Sequence, residues 1–390
     1  MPDTGTDPMT DSDRTLVRQD DAANSPAQRR SWLPVVFAAI ALALIAAAAG
    51  WWFLNSRATV PEWDRVPALD LAAPAGNAFA GDTPWVNLRL MTARPGGENV
   101  VRVQITPRTR QGTPDPAGAA TARISTLTAQ PLSGEPAPAE TLGLQPDPET
   151  EGAFIASSPL DPAGWWRLSV EVDGAASAAE FHLLIPDPNL NGPNTVPSSA
   201  SSSEGEALFR RGIETLTTLR DVRFTQWIAD GRGNAAVSEH AVTSGDGSSP
   251  PGFTYRAAGG MEAIIIGSTR WIRLPGDPGW EEQEGATVVL PSEWDEEYVG
   301  ATGFTLLGEE MIDGELCRLL AFVAPELTEP RRTVAWYLWW VGEETGYVRK
   351  EAMVSRLHYM HNAFSDFDVP IALAPPGEAA TPVANGTPVT

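Results

Sequence analysis

The segment "TVAWYLWWV", Thr333 to Val341, is apolar on both of its alternating faces. Side chains of a strand project to opposite sides at period two. Val334, Trp336, Leu338 and Trp340 therefore share one face, and Ala335, Tyr337, Trp339 and Val341 the other. A strand of this kind needs cover on both sides, whether by core, ligand, a neighbouring domain or a membrane surface. Either it runs through a thick core that also packs on another domain, or part of it lines an apolar cavity. In the second case Trp336, Leu338, Trp339 and Trp340 are the candidate ligand contacts, together with Trp271 from the upstream segment "MEAIIIGSTRWIRL".

Working outward, the surrounding residues read as one helix followed by a meander. Ser203 with Glu206 three residues on has the form of a capping box. The run "EALFRRGIETLTTLRDV" then places Phe209, Ile213 and Leu216 on one helical face. After it come alternating segments separated by hairpin signals, including "DG" at Asp313–Gly314 and "GEETG" between Val341 and Tyr347. One helix and a long antiparallel meander predict a strongly curved sheet wrapped around a helix, over residues 204–376.

The opening "ALFRRGIETLTTLRDVRFTQWI", the pair "FTLLGEEMIDGELCRLLAF", the hairpin "VAWYLWWVGEETGYVRKEAMV" and the closing "HYMHNAFSDFDVPIALAPP" together resemble the LolA and LppX/LprG-like lipoprotein carriers. That resemblance implies a half-barrel holding an acyl chain or other apolar ligand between sheet and helices. With no catalytic motif in the sequence, a noncatalytic binder is expected. The family's lipidated cysteine has no counterpart here, since the one cysteine, Cys317, sits in an alternating apolar strand.

Upstream, residues 60–186 carry short alternating segments, "VNLRL", "VVRVQI", "WRLSVEV" and "EFHLLI", which predict an Ig-like β-sandwich. "LDPAGWWRLSVEV" with "AEFHLLI" resembles small extracytoplasmic domains of the YtkA and copper-resistance-protein-C type. His182, alternating with Phe181 and Leu183, is expected at the surface. Residues 187–203 are rich in Pro, Asn, Gly and Ser and read as a linker. Its "DPNLNG" matches the first half of a calcium loop, but Ser198 stands where a bidentate Glu is needed.

From Trp32 to Leu54 no charged residue occurs. At about 1.5 Å per residue this suffices to cross roughly 30 Å of hydrocarbon, and a single transmembrane helix is expected over 31–55. Four arginines precede it and Arg57 and Arg65 follow, which favours a cytoplasmic N-terminus and extracytoplasmic domains. Residues 1–30 and 377–390 are expected to be disordered tails. With 27 basic and 50 acidic residues the net charge is -23, which argues against nucleic acid as a partner.

"HYMHNAF" poses the remaining question. Read as a continuation of the strand "EAMVSRL", it places Arg356, His358, Met360 and Asn362 on one face and Tyr359 and His361 on the other. His358 and Met360 form a candidate Cu(I) pair, imidazole and thioether being suitable ligands, although a further ligand is needed and Arg356 would repel the cation. No G-x-S-x-G elbow, H-E-x-x-H or phosphate loop is present. The acidic stretches "WEEQEG" and "SEWDEEYVG" read as charged loops. The sequence thus predicts a mainly β protein with an α+β C-terminal domain, anchored in a cell membrane and binding a lipid or other apolar ligand without a cofactor. Copper handling at the cell envelope, or a structural or sensory ecto-domain binding an envelope protein, are the alternatives.

Overall fold

A computed structural model describes segments of 77–172, and 178–377 apart from 192, 194–195, 197–199, 230–234, 247, 258–259, 329–331 and 357. The apolar stretch Trp32–Leu54 and both tails lie outside the described residues. Among the described residues no helix is long and apolar enough to cross a membrane.

The first part consists of two antiparallel sheets. Strands β1 (Asn77–Phe79), β2 (Val86–Ala93), β3 (Val100–Pro107), β6 (Gln145–Pro146) and β7 (Phe154–Pro159) form one, in the order β1-β2-β3-β7-β6. Strands β4 (Ile124–Pro131), β5 (Glu140–Thr141), β8 (Gly164–Val172) and β9 (Ala179–Ile185) form the other, in the order β5-β4-β8-β9.

A short helix α1 (Pro188–Asn191) and the helix α2 (Ser203–Thr218) follow. The cap of α2 lies one residue earlier than the sequence suggested. Ser202 is the N-cap, and its hydroxyl accepts from the Gly205 amide at 3.0 Å, because Ser203 is already helical. The meander comprises β10 (Asp221–Ala229), β11 (Ala235–Thr243), β12 (Gly252–Ala257), β13 (Glu262–Ile266), β14 (Thr269–Arg273) and β15 (Glu281–Glu284). A 3-10 helix spans Pro291–Tyr298, and the chain continues through β16 (Thr302–Ile312), β17 (Glu315–Ala324), β18 (Ala335–Gly342), β19 (Val348–Ser355) and β20 (His358–Ser365). Pairing of β10 with β20 joins both runs into one 11-stranded antiparallel sheet, β15-β14-β13-β12-β11-β10-β20-β19-β18-β17-β16. Asp313 and Gly314, both at positive φ (49° and 83°), make the tight turn that the "DG" pair predicts between β16 and β17.

The two faces of β18 are covered by different layers. Tyr337, Trp339 and Val341 join a core with Leu208 and Leu216 of α2 and Tyr298 of the 3-10 helix. Close approach of α2 depends on Gly212, where an added Cβ would stand 3.1 Å from the Trp339 ring. Trp336, Leu338 and Trp340 join a second core that continues into the first domain through Trp165, Leu184 and their neighbours. The 11-stranded sheet thus lies between the first domain and the helices.

The linker region takes part in this docking. Asp187 is fully buried and accepts from the Tyr359 hydroxyl at 2.8 Å. Asn189 donates to the Ser355 carbonyl at 2.8 Å and to the Tyr359 hydroxyl at 2.9 Å. "DPNLNG" thus fastens the two domains at the β19–β20 turn. That turn also corrects the reading of "HYMHNAF", which is a strand of its own: β19 ends at Ser355, so Arg356 is exposed in the turn and does not share the face of His358.

Candidate ligand groove

Cross-strand register sorts the large sheet into a concave face, toward α2 and the 3-10 helix, and a convex face toward the first domain. On the convex side of β11–β15 charged side chains alternate with apolar ones such as Ile264 and Ile266. Arg256 lies 3.9 Å from Glu239 and 3.8 Å from Glu262, and Arg273 pairs with Glu262 at 2.8 Å. Trp271 belongs to this face and donates from Nε1 to Glu282 at 3.0 Å. The first domain's core meets this face where it is apolar, on β16–β20 and at Trp227 and Ala229 of β10.

The concave side of β10–β14 is different. Phe224, Ile228, Phe253, Tyr255, Ile265 and Ile272 project there, each only half-buried. Trp294 reaches over them from the 3-10 helix, its ring 6.0 Å from Phe224 and 6.3 Å from Phe364. The acidic stretch "SEWDEEYVG" therefore forms this cover. Trp294 and Tyr298, four residues apart, turn inward, while Glu293, Asp295 and Glu296 stay exposed. Arg332 holds the end of the 3-10 helix by donating to the carbonyls of Glu296, Glu297 and Val299.

A polar row crosses the floor of this face. Glu351, Asn362, Gln226 and Ser238 are direct cross-strand partners on β19, β20, β10 and β11. The Glu351 carboxylate is buried, and accepts from Tyr298 Oη at 2.7 Å, Trp339 Nε1 at 2.7 Å and Asn362 Nδ2 at 3.0 Å. Burial outweighs these donors and pushes its carboxyl up to about 7. Gln226 donates to Met360 Sδ at 3.2 Å. The Asn362 Oδ1 atom is buried and accepts no hydrogen bond. Beside the row, His240 stacks on Phe224 at 4.4 Å and shares a 2.8 Å hydrogen bond with Ser238, and burial lowers its imidazole to about 4.

The residues singled out from the sequence are distributed over three places. Trp336, Leu338 and Trp340 lie together under the first domain, and Trp339 lies under α2, all buried. Trp271 stands on the charged convex face. His358 and Met360 share the concave face, as alternation predicts, and His361 is on the opposite one. Among the described residues no group of three or more His, Cys, Asp or Glu side chains is arranged to hold a metal ion. Cys317 is a buried free thiol.

His182 is not at the surface. It is 5% exposed, because β9 is covered on both sides by the first domain's core and by the convex face. Its ring lies parallel to that of His361 at 5.7 Å and edge-on to Trp340 at 4.6 Å. All four ring nitrogens of the two histidines are buried without a hydrogen-bond partner.

No protein-family model and no curated protein matches the chain. Among solved structures it is similar to the Mycobacterium tuberculosis lipoprotein LppX, at 14% identity over 45% of this chain and 100% of that one, with a TM-score of 0.34. It is similar to LprF from Mycobacterium bovis at 11% identity over 46% of this chain and 99% of that one, TM-score 0.35. A LolA superfamily protein from Nitrosomonas europaea is similar at 11% identity over 43% of this chain and 94% of that one, TM-score 0.20.

Proposed function

We propose that this protein is a noncatalytic binder of a lipid or other apolar ligand, which it takes up on the concave face of β10–β14 beneath Trp294. The observation that supports this reading is the row of half-buried apolar side chains there, Phe224, Ile228, Phe253, Tyr255, Ile265 and Ile272. Fully burying one such side chain is worth about 1.5–3 kcal/mol relative to leaving it exposed. A wall of them left half-covered keeps that free energy available to a ligand. The groove's polar groups are an amide pair, a thioether, a neutral imidazole and a carboxyl already held by three donors, a set suited to orienting a ligand. The uncharged stretch from Trp32 to Leu54 supports attachment to a membrane, and the excess of arginines before it supports these domains lying outside the cytoplasm.

The test is titration of the delipidated full chain with N-phenyl-1-naphthylamine, an uncharged dye that brightens in apolar surroundings. A saturable rise is expected, which Phe253→Asp removes. A linear, unsaturable response in the wild-type chain would end this reading.

A further inference from the structure

We infer that Asn362 and its cross-strand neighbours form a subsite for an uncharged, hydrogen-bond-donating headgroup, so that the preferred ligand is a neutral amphiphile bearing hydroxyl or amide N–H groups. This rests on the groove reading above and adds to it the chemical class of the ligand.

Asn362 is 5% exposed, and its amide orientation is fixed because Nδ2 faces a Glu351 carboxylate oxygen at 3.0 Å. The Oδ1 acceptor is thereby left buried and unbonded. A buried acceptor without a donor costs about 1–3 kcal/mol, which a ligand hydroxyl or N–H placed there recovers. The neighbouring side chains Gln226 and Met360 are half-buried, unbranched and joined by a 3.2 Å contact, so rotamer changes alone can open the path from the apolar wall to Oδ1.

Charge decides against an anionic headgroup. Glu351 adjoins Asn362 directly, and a ligand carboxylate placed beside it would be desolvated against a like charge. Two guanidiniums on the concave side do not relieve this. Arg349 is committed to Glu315 through hydrogen bonds of 2.9 and 2.6 Å. Arg270 lies on β14, four strands from Gln226, or roughly 19 Å at 4.8 Å per strand.

The experiment compares three ligands of one chain length on the full-length protein at pH 8, by displacement of N-phenyl-1-naphthylamine: 1-monolauroylglycerol, methyl laurate and laurate. All three carry the same acyl chain, and only the first carries donors. Expected are a roughly tenfold tighter binding of monolauroylglycerol than of methyl laurate, the equivalent of one hydrogen bond to a buried acceptor, and the weakest binding for laurate. Asn362→Leu should abolish the preference for monolauroylglycerol over methyl laurate. Equal affinities in the wild-type chain, or laurate binding tightest, would overturn the subsite while leaving the apolar groove intact. Dye uptake with no displacement by any of the three would overturn both. The wild-type ligand series decides the matter even where the variant does not fold.

Discussion

The two halves of the 11-stranded sheet share one antiparallel hydrogen-bonding pattern, yet they are finished differently. From β17 to β19 both faces are sealed, by the first domain on the convex side and by α2 and the 3-10 helix on the concave side, and every residue of β18 is buried. From β11 to β14 the convex face carries ion pairs among its apolar residues, and the concave face of β10–β14 is a half-covered apolar wall. The difference shows that tryptophan-rich sequence marks the scaffold of this molecule. The half-covered concave surface is built from scattered aromatic and β-branched residues with a polar row beside them.

The sharpest way to break this contrast is truncation in each half. Trp340→Ala removes a fully buried ring that packs on His182 and donates to Glu310 at 2.8 Å. It should cost about 3–5 kcal/mol in urea unfolding, and equal losses for Trp340→Ala and Phe253→Ala would erase the distinction between the halves.

Next in size is the pH response of the concave core. The Glu351 carboxyl is raised from 4.5 to about 7 in the folded protein, so the unfolded chain releases this proton first as pH rises. The contribution is fully present below pH 4.5 and is lost as pH climbs to 7, by about 3 kcal/mol. Glu351→Gln should remove that slope from a plot of unfolding free energy against pH.

The domain interface responds in the opposite direction. Burial lowers His361 to about 3 and lowers His182 as well, and around them stand the Arg167–Glu310 ion pair and Lys350. Both imidazoles are neutral when docked, so the undocked or unfolded chain gains protons below pH 6.5 and stability falls with acidification from there. Between pH 6.5 and 5 His361 alone accounts for about 2 kcal/mol. A His182→Phe/His361→Leu variant should show a flatter acid limb, and an unchanged limb would remove these rings from the acid response.

Smaller effects belong to the open half. Phe253→Ala should cost only about 1–2 kcal/mol of stability, since the ring is half-exposed before truncation, while weakening dye binding severalfold in the titration above. Met311→Ser, at a side chain 59% exposed, should stay within about 0.5 kcal/mol in the same unfolding assay.

Much of the fold was legible because its signals are local. The two-faced pattern of "TVAWYLWWV" required cover on both sides, and the structure supplies two layers. The alternation in "HYMHNAF" separated His361 from His358 and Met360, as observed. Helix-then-meander order emerged from a periodicity change at residue 221. What alternation could not show is which partner lies opposite. His182 was expected in solvent because its own strand gives it a polar side, and that side meets the convex face 179 residues further along the chain.

Already visible in the amino-acid order were the helix-then-meander arrangement, the sharing of faces within uninterrupted strands, and the demand for burial on both sides of β18. Tertiary structure alone decided that the first domain satisfies one of those demands and α2 the other, and that Glu351, Asn362, Gln226 and Ser238 from four strands form one row. The physical reason is that the period-two projection of side chains is a property of each strand. The joining of β10 to β20 and the docking of the first domain, by contrast, are set by contacts between segments more than a hundred residues apart.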